Sequence, residues 1–182
     1  MRTITATTTT LTRTKLSLVS RIVCAFGAAL ILAVSASAAT YVHVIRFTAS
    51  YRLMLSVGPK ETMYTAAEVK AKHPTSGEVM LDDSMSMGGM SMGAGNRHLE
   101  VQVKSRQTNR VLSLMPSSIT LTDTSAMSGM AMTDKLHVMA MYGIAEGMSD
   151  LHYGNNVELT AGHMYKVVAT VKGEKASFTF RA

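Results

Sequence analysis

The chain has 182 residues, a formal net charge of +6, one cysteine, no tryptophan and 16 methionines. That length suits one domain and hardly two, and the charge is less basic than it looks: four of the 18 Lys/Arg residues and none of the 12 Asp/Glu residues fall within positions 1–38, which leaves +2 for residues 39–182. No Lys/Arg cluster interleaved with aromatics is present, so a nucleic-acid partner is rejected.

Residues 1–38 are ordered like a secretion signal. Arg2, Arg13, Lys15 and Arg21 lead into the apolar run Ile22–Val34, and Ala36 and Ala38 take the minus-three and minus-one places of a cleavage site. The run is 13 residues long, short of the roughly 20 needed to span a bilayer; an uncleaved N-terminal anchor is the alternative. Residues 39–182 are therefore expected as one exported domain, in the periplasm, the cell envelope or outside the cell. Cys24 belongs to the apolar run, and Val23 before it is not the small residue of a lipoprotein acceptor. Without it the domain has no disulfide, thiolate ligand or thiol nucleophile, and its size lets a core alone hold it together.

From Tyr51 onward apolar residues alternate more often than they recur at helical spacing. Leu53, Leu55 and Val57 alternate first. Thr62–His73 is rich in helix formers and stops before Pro74, which predicts a short helix or helical turn. Alternation returns with Leu99, Val101 and Val103, then Ile119 and Leu121, then Leu136, Val138 and Ala140, then Val157 and Leu159. The chain ends in a hairpin turning near Lys172–Glu174, with Phe178 and Phe180 on its second arm. Seven or more short strands predict an all-β, antiparallel β-sandwich of immunoglobulin-like type. Two Gly/Ser-rich stretches between strands are read as surface loops. One holds Met85, Met87, Met90 and Met92; the other holds Met127, Met130 and Met132.

Side chains two apart on a strand share a face. If Leu99, Val101 and Val103 face the core, His98 and Glu100 face away from it together. By the same rule His137, Met139 and Met141 share the face opposite Leu136, Val138 and Ala140, and His152 opens the stretch that follows. Thioether sulfur favours Cu(I), imidazole suits both copper states and carboxylate suits harder ions, so this set points to copper. Structural zinc sites prefer cysteine and histidine. Imidazole ligands must be neutral to bind, and an ordinary pKa of about 6.5 places the loss of affinity between about pH 7 and 5. His43, His73 and His163 have no ligand-type neighbour at strand spacing and are read as ordinary histidines. No serine lies in a GxSxG elbow and no glycine loop cradles phosphate, while Asp82–Asp83 reads as a solvated turn. The chain is expected not to be an enzyme.

HLE (His98–Glu100), the Met-x-Met of VMAM (Met139, Met141) and HYGNNVELTAGHMYKV (His152–Val167) together resemble the bacterial periplasmic iron-transport proteins that bind copper. The resemblance spans Arg97–Thr179. It implies an immunoglobulin-like β-sandwich, a homodimer and work beside a membrane iron permease, with His98, Glu100, Met141 and His152 as metal ligands. The chain departs from the family at Ala140, where a proline is usual, in a longer spacer Tyr142–Leu151, and in its two methionine-rich loops. The expected function is capture of copper, Cu(I) or Cu(II), or of iron, at a His/Glu/Met surface site. The loops would be Cu(I) capture arms and a membrane metal permease or transporter the partner. The alternative is an interaction or adhesion module that uses the loops as a contact surface.

Overall fold

The computed structural model describes residues 41–81, 95–125 and 133–182. The expected signal (1–38) and all seven loop methionines (Met85, Met87, Met90, Met92, Met127, Met130, Met132) lie outside the described residues, as do Asp82 and Asp83. In chain order the elements are β1 (Val42–Phe47), β2 (Tyr51–Pro59), β3 (Met63–Tyr64), α1 (Ala66–Lys72), β4 (Glu78–Met80), β5 (Arg97–Ser105), β6 (Ser118–Asp123), β7 (Thr133–Lys135), β8 (Met139–Gly143), β9 (His152–Val157), β10 (Met164–Val171) and β11 (Glu174–Arg181).

Among the described residues the fold is all-β, as the alternation predicts, apart from α1 and one 3₁₀ turn. Seven strands form one sheet in the order β1-β2-β5-β9-β8-β4-β3, and four form a second in the order β11-β10-β6-β7. Pairing is antiparallel except between β3 and β4. The alternating apolar sets meet between the sheets. Leu53, Leu55, Val57, Leu99, Val101, Val103, Tyr153 and Val157 come from the larger sheet; Ile119, Leu121, Val167, Ala169, Phe178 and Phe180 come from the smaller. Burying each aliphatic or phenyl side chain contributes about 1.5–3 kcal/mol.

Local chemistry sets the connections. Lys172 and Gly173 both have positive φ, 48° and 84°, as a type I′ hairpin requires. Val171 and Glu174 pair directly across that turn. The predicted helix is shorter than Thr62–His73, because Thr65 starts it: the Thr65 hydroxyl accepts from the Glu68 N–H and the Glu68 carboxylate accepts from the Thr65 N–H. Met63 and Tyr64, ahead of the cap, instead pair in parallel with Glu78 and Val79. Among the described residues no helix is long and apolar enough to cross a membrane.

The face of the large sheet turned away from the main core is not a solvated one. Ser56, His98, Gln102, His152 and Asn156 are buried there. So are Met80, Met139 and Met141, which form a second apolar cluster against Met63. The segment between β2 and β3 packs against this face through Asn156, whose Nδ2 donates to the Glu61 carbonyl (2.9 Å) and whose Oδ1 accepts from the Glu61 N–H (3.3 Å).

Candidate metal centre

Four side chains from three strands converge on that second face: Glu78 of β4, His98 and Glu100 of β5, and His152 of β9. One donor atom of each lies within 4.8 Å of all the others. Period-two alternation puts His98 and Glu100 side by side. Register does the rest, with His98 opposite Asn156 and Glu100 opposite Gly154, so that His152 follows on the same face. Gly154 has to be glycine, because a Cβ there would collide with the Leu99 carbonyl of β5. The close approach of β9 to β5 that brings the ligands together depends on its missing side chain.

Each imidazole is held by one nitrogen and presents the other. His152 Nδ1 donates to the Asp150 carbonyl at 2.7 Å, with the Asp150 carboxylate 3.4 Å away. Its Nε2 therefore faces the group, 3.3 Å from Glu100 Oε2 and 3.4 Å from Glu78 Oε2. His98 Nδ1 lies 3.1 Å from Asn156 Oδ1. The Asn156 amide is oriented by its two bonds to the Glu61 backbone, so its oxygen accepts and His98 Nδ1 must carry the proton. His98 Nε2 is then a bare lone pair. His98 Nε2 is buried without a hydrogen-bond partner, whereas His152 Nε2 and Glu78 Oε2, equally buried, have only ion-pair neighbours among these groups and no hydrogen bond. The two rings meet edge-on, 5.8 Å between centroids and 77° between planes. Fixing one imidazole nitrogen through a hydrogen bond so that the other points at a common centre is how metal-binding histidines are oriented.

The electrostatics separate the two histidines. Burial, with the neighbouring His152 charge, lowers the His98 pKa to about 4, so His98 is neutral at pH 7. Burial also pulls on His152, but the Asp150 hydrogen bond and the charges of Glu100 and Glu78 outweigh it and raise the pKa to about 9. Burial raises the Glu78 pKa to about 7 against the opposing pull of His152. Without metal, His152 is the cation among the carboxylates, and a divalent ion would take its place.

Of the residues expected from the sequence, His98, Glu100 and His152 come together. Met141 lies directly opposite His152 and beside Met80 in the adjoining register, and Met139 lies opposite Gly154. The 3₁₀ turn Gly147–Asp150 takes up the longer spacer after Met141. His137 is exposed, ahead of β8, and is not a member of the group. One expectation is corrected. His98, Met139, Met141 and His152 are not surface side chains but are only 4, 3, 0 and 0 % exposed: side chains of β4, β5, β8 and β9 crowd one another on the face that alternation alone would leave in water, and the Glu61 backbone is hydrogen-bonded to Asn156 beside them. Sequence reasoning missed Glu78, Met63 and Met80. The signal existed in Glu78-Val79-Met80, which repeats the ligand-apolar-ligand spacing of His98-Leu99-Glu100, but a three-residue strand is too short for periodicity to mark.

The described domain is thus a two-sheet β-protein with a buried His/Glu group able to hold a metal ion. No protein-family model matches the chain, and no curated protein or solved structure matches it either.

Proposed function

We propose that the protein is an exported metal-binding protein that captures copper, with iron the second candidate cargo, and passes it to a membrane metal permease. One observation carries this: two imidazole Nε2 atoms, each aimed by a hydrogen bond on its other nitrogen, share a buried centre with two carboxylate oxygens. Such N₂O₂ donors suit Cu(II), Zn(II) and Fe(II), while the thioethers of Met80, Met139 and Met141 packed alongside favour copper, above all as Cu(I). The likeness of HLE, Met-x-Met and HYGNN to the periplasmic iron-transport proteins supports export, an immunoglobulin-like sandwich, a homodimer and the permease as partner. In this reading the loop methionines Met85, Met87, Met90, Met92, Met127, Met130 and Met132 gather Cu(I) through their thioether sulfurs, and no catalysis is needed.

The test is titration of purified, metal-free protein with Cu(II), Cu(I), Zn(II) and Fe(II). One Cu(II) per chain is expected, weakened about ten- to a hundredfold by His98→Ala or Glu78→Gln, about 1.4–2.8 kcal/mol, with an unchanged circular dichroism spectrum. Unaltered titrations in both variants would remove the site assignment. Leucine at Met85, Met87, Met90 and Met92 keeps volume and apolar character while removing sulfur. That variant should take up fewer Cu(I) ions and keep its Cu(II) site; equal Cu(I) stoichiometry would favour the contact-surface reading of the loops.

A further inference from the structure

A cleft of about 160 Å³ joins the buried group to the sheet edge at β1. Tyr41 and His43 line its outer end, Glu61 one side, and Glu78, His98 and Glu100 its inner end. Register explains its course. His43 lies opposite Ser56 of β2, and Ser56 lies opposite Glu100 of β5, so a row of side chains from the exposed edge to the site crosses β2 at a serine. The adjoining row crosses β2 at Gly58, opposite His98, and the Tyr41 ring stands 3.1 Å from where a Cβ at Gly58 would be. Leucine or valine at these two positions would fill the cleft. Serine and glycine keep it open.

The side chains along it carry donors. His43, exposed at the edge, is turned along the face with Nδ1 3.2 Å from Ser56 Oγ, and its ring lies parallel to that of Tyr41, 6.5 Å between centroids and 4° between planes. Glu61 is near enough to Glu100 that burial and the Glu100 charge raise its pKa. At the inner end stands the unpartnered, buried His98 Nε2. On its other side β5 offers an ion nothing, since Leu99 and Val101 are fully buried in the main core.

We propose that this cleft is the access route of the divalent cation, and that His43 and Glu61 form an outer pair of ligands that holds the ion, still partly hydrated, before His98 and Glu100 take it. The proposal rests on reading the inner group as a metal site. One imidazole and one carboxylate suit the same ions as the inner donors, but two ligands in contact with water hold less tightly than four in a buried centre. Exchanging water for protein donors in two stages avoids stripping the ion all at once in a space too narrow for its hydration shell. The carboxylates along the walls also focus the field that draws a cation inward. His43, an ordinary histidine by its sequence neighbours, gains a role only because β2 and β5 place Ser56 and Glu100 in line with it.

The test is stopped-flow Cu(II) uptake, and Cu(II) release to a chelator, by the full chain and by His43→Gln, Glu61→Gln and Ser56→Leu, each checked by circular dichroism. In His43→Gln and Glu61→Gln, uptake and release should slow together by about tenfold, leaving equilibrium affinity within about twofold. Ser56→Leu should slow both steps while removing no ligand of either pair. At excess Cu(II) the parent should bind a second, weaker ion that His43→Gln loses. Parental exchange rates in His43→Gln and Glu61→Gln would overturn the route and leave the inner site standing, whatever Ser56→Leu does to the fold. Slower uptake with unchanged release would also overturn it, by making His43 part of the inner site. A parent chain that takes up no metal would overturn the inner site, and the route with it.

Discussion

His152 and His98 occupy one site and have their pKa values shifted in opposite directions, so the pH behaviour can be signed residue by residue. The folded pKa of His152, about 9, lies above the ordinary value, so its charge stabilises the metal-free fold fully below about pH 6.5 and that contribution is lost as pH rises through about 9. Glu78, raised to about 7, also binds its proton more tightly when folded, so stability falls as it ionises between about pH 4.5 and 7. His98, lowered to about 4, acts the other way, and its contribution is lost as pH falls from about 6.5 through 4. The metal-free melting temperature should therefore decline from about pH 6.5 to 9, which differential scanning fluorimetry can follow. Metal affinity should rise over the same interval, because binding must expel the His152 proton. The window is more alkaline than an ordinary imidazole would set, and the Asp150, Glu100 and Glu78 oxygens are the cause. Calorimetry at pH 7.5 in buffers of different ionisation enthalpy should register about one proton released per ion bound. A flat affinity between pH 6.5 and 9 would contradict a protonated His152.

At the scale of strands, β9 is the element on which the site turns. Gly154→Ala should push β9 away from the Leu99 carbonyl, costing about 1–3 kcal/mol as overpacking does and weakening metal binding more than the loss of stability explains; denaturation and titration of the same sample separate the two. Leucine at Met80, Met139 and Met141 should keep the small second core, since volume and polarity barely change, while reducing any preference for Cu(I) over Cu(II). Legibility differed between strands for physical reasons. On β2, β5 and β11 the core positions could be read directly, because eight or nine residues show the period of two. The facing of His98 and Glu100 followed from that period alone. The burial of His98 did not, because its neighbours on that face come from β4, β8 and β9 and from the segment that bonds Asn156, all of them non-local contacts. Glu78 was illegible for the same reason: three residues have no period, and their meaning comes from Gly143 and Met141 across the strand gap. The helix was legible through Pro74 and its formers, but Thr65 rather than propensity decided where it began.

In the molecule as a whole the two buried clusters have different jobs. The larger joins the two sheets, and the smaller lies beside the His/Glu group. An ion bound only by the folded state should raise the melting temperature: a hundredfold excess of free metal over Kd adds about 2.7 kcal/mol, roughly 5–10 °C for a domain of this size. A chelator should return the transition to its metal-free value, and a melting temperature indifferent to both would mean that no ion bridges β4, β5 and β9. The two-faced character of β5 carries a further consequence, for mutational tolerance. In Arg97–Ser105 the alternate residues Leu99, Val101 and Val103 belong to the sheet-joining core, and His98 and Glu100 on the opposite face belong to the site. Loss of one residue inside this strand would exchange the two sets, driving imidazole and carboxylate between the sheets and leucine and valine among the ligands. Point substitutions can weaken binding by degrees while the fold survives, but a single-codon deletion there has no mild outcome: folding and metal capture would fail in the same step.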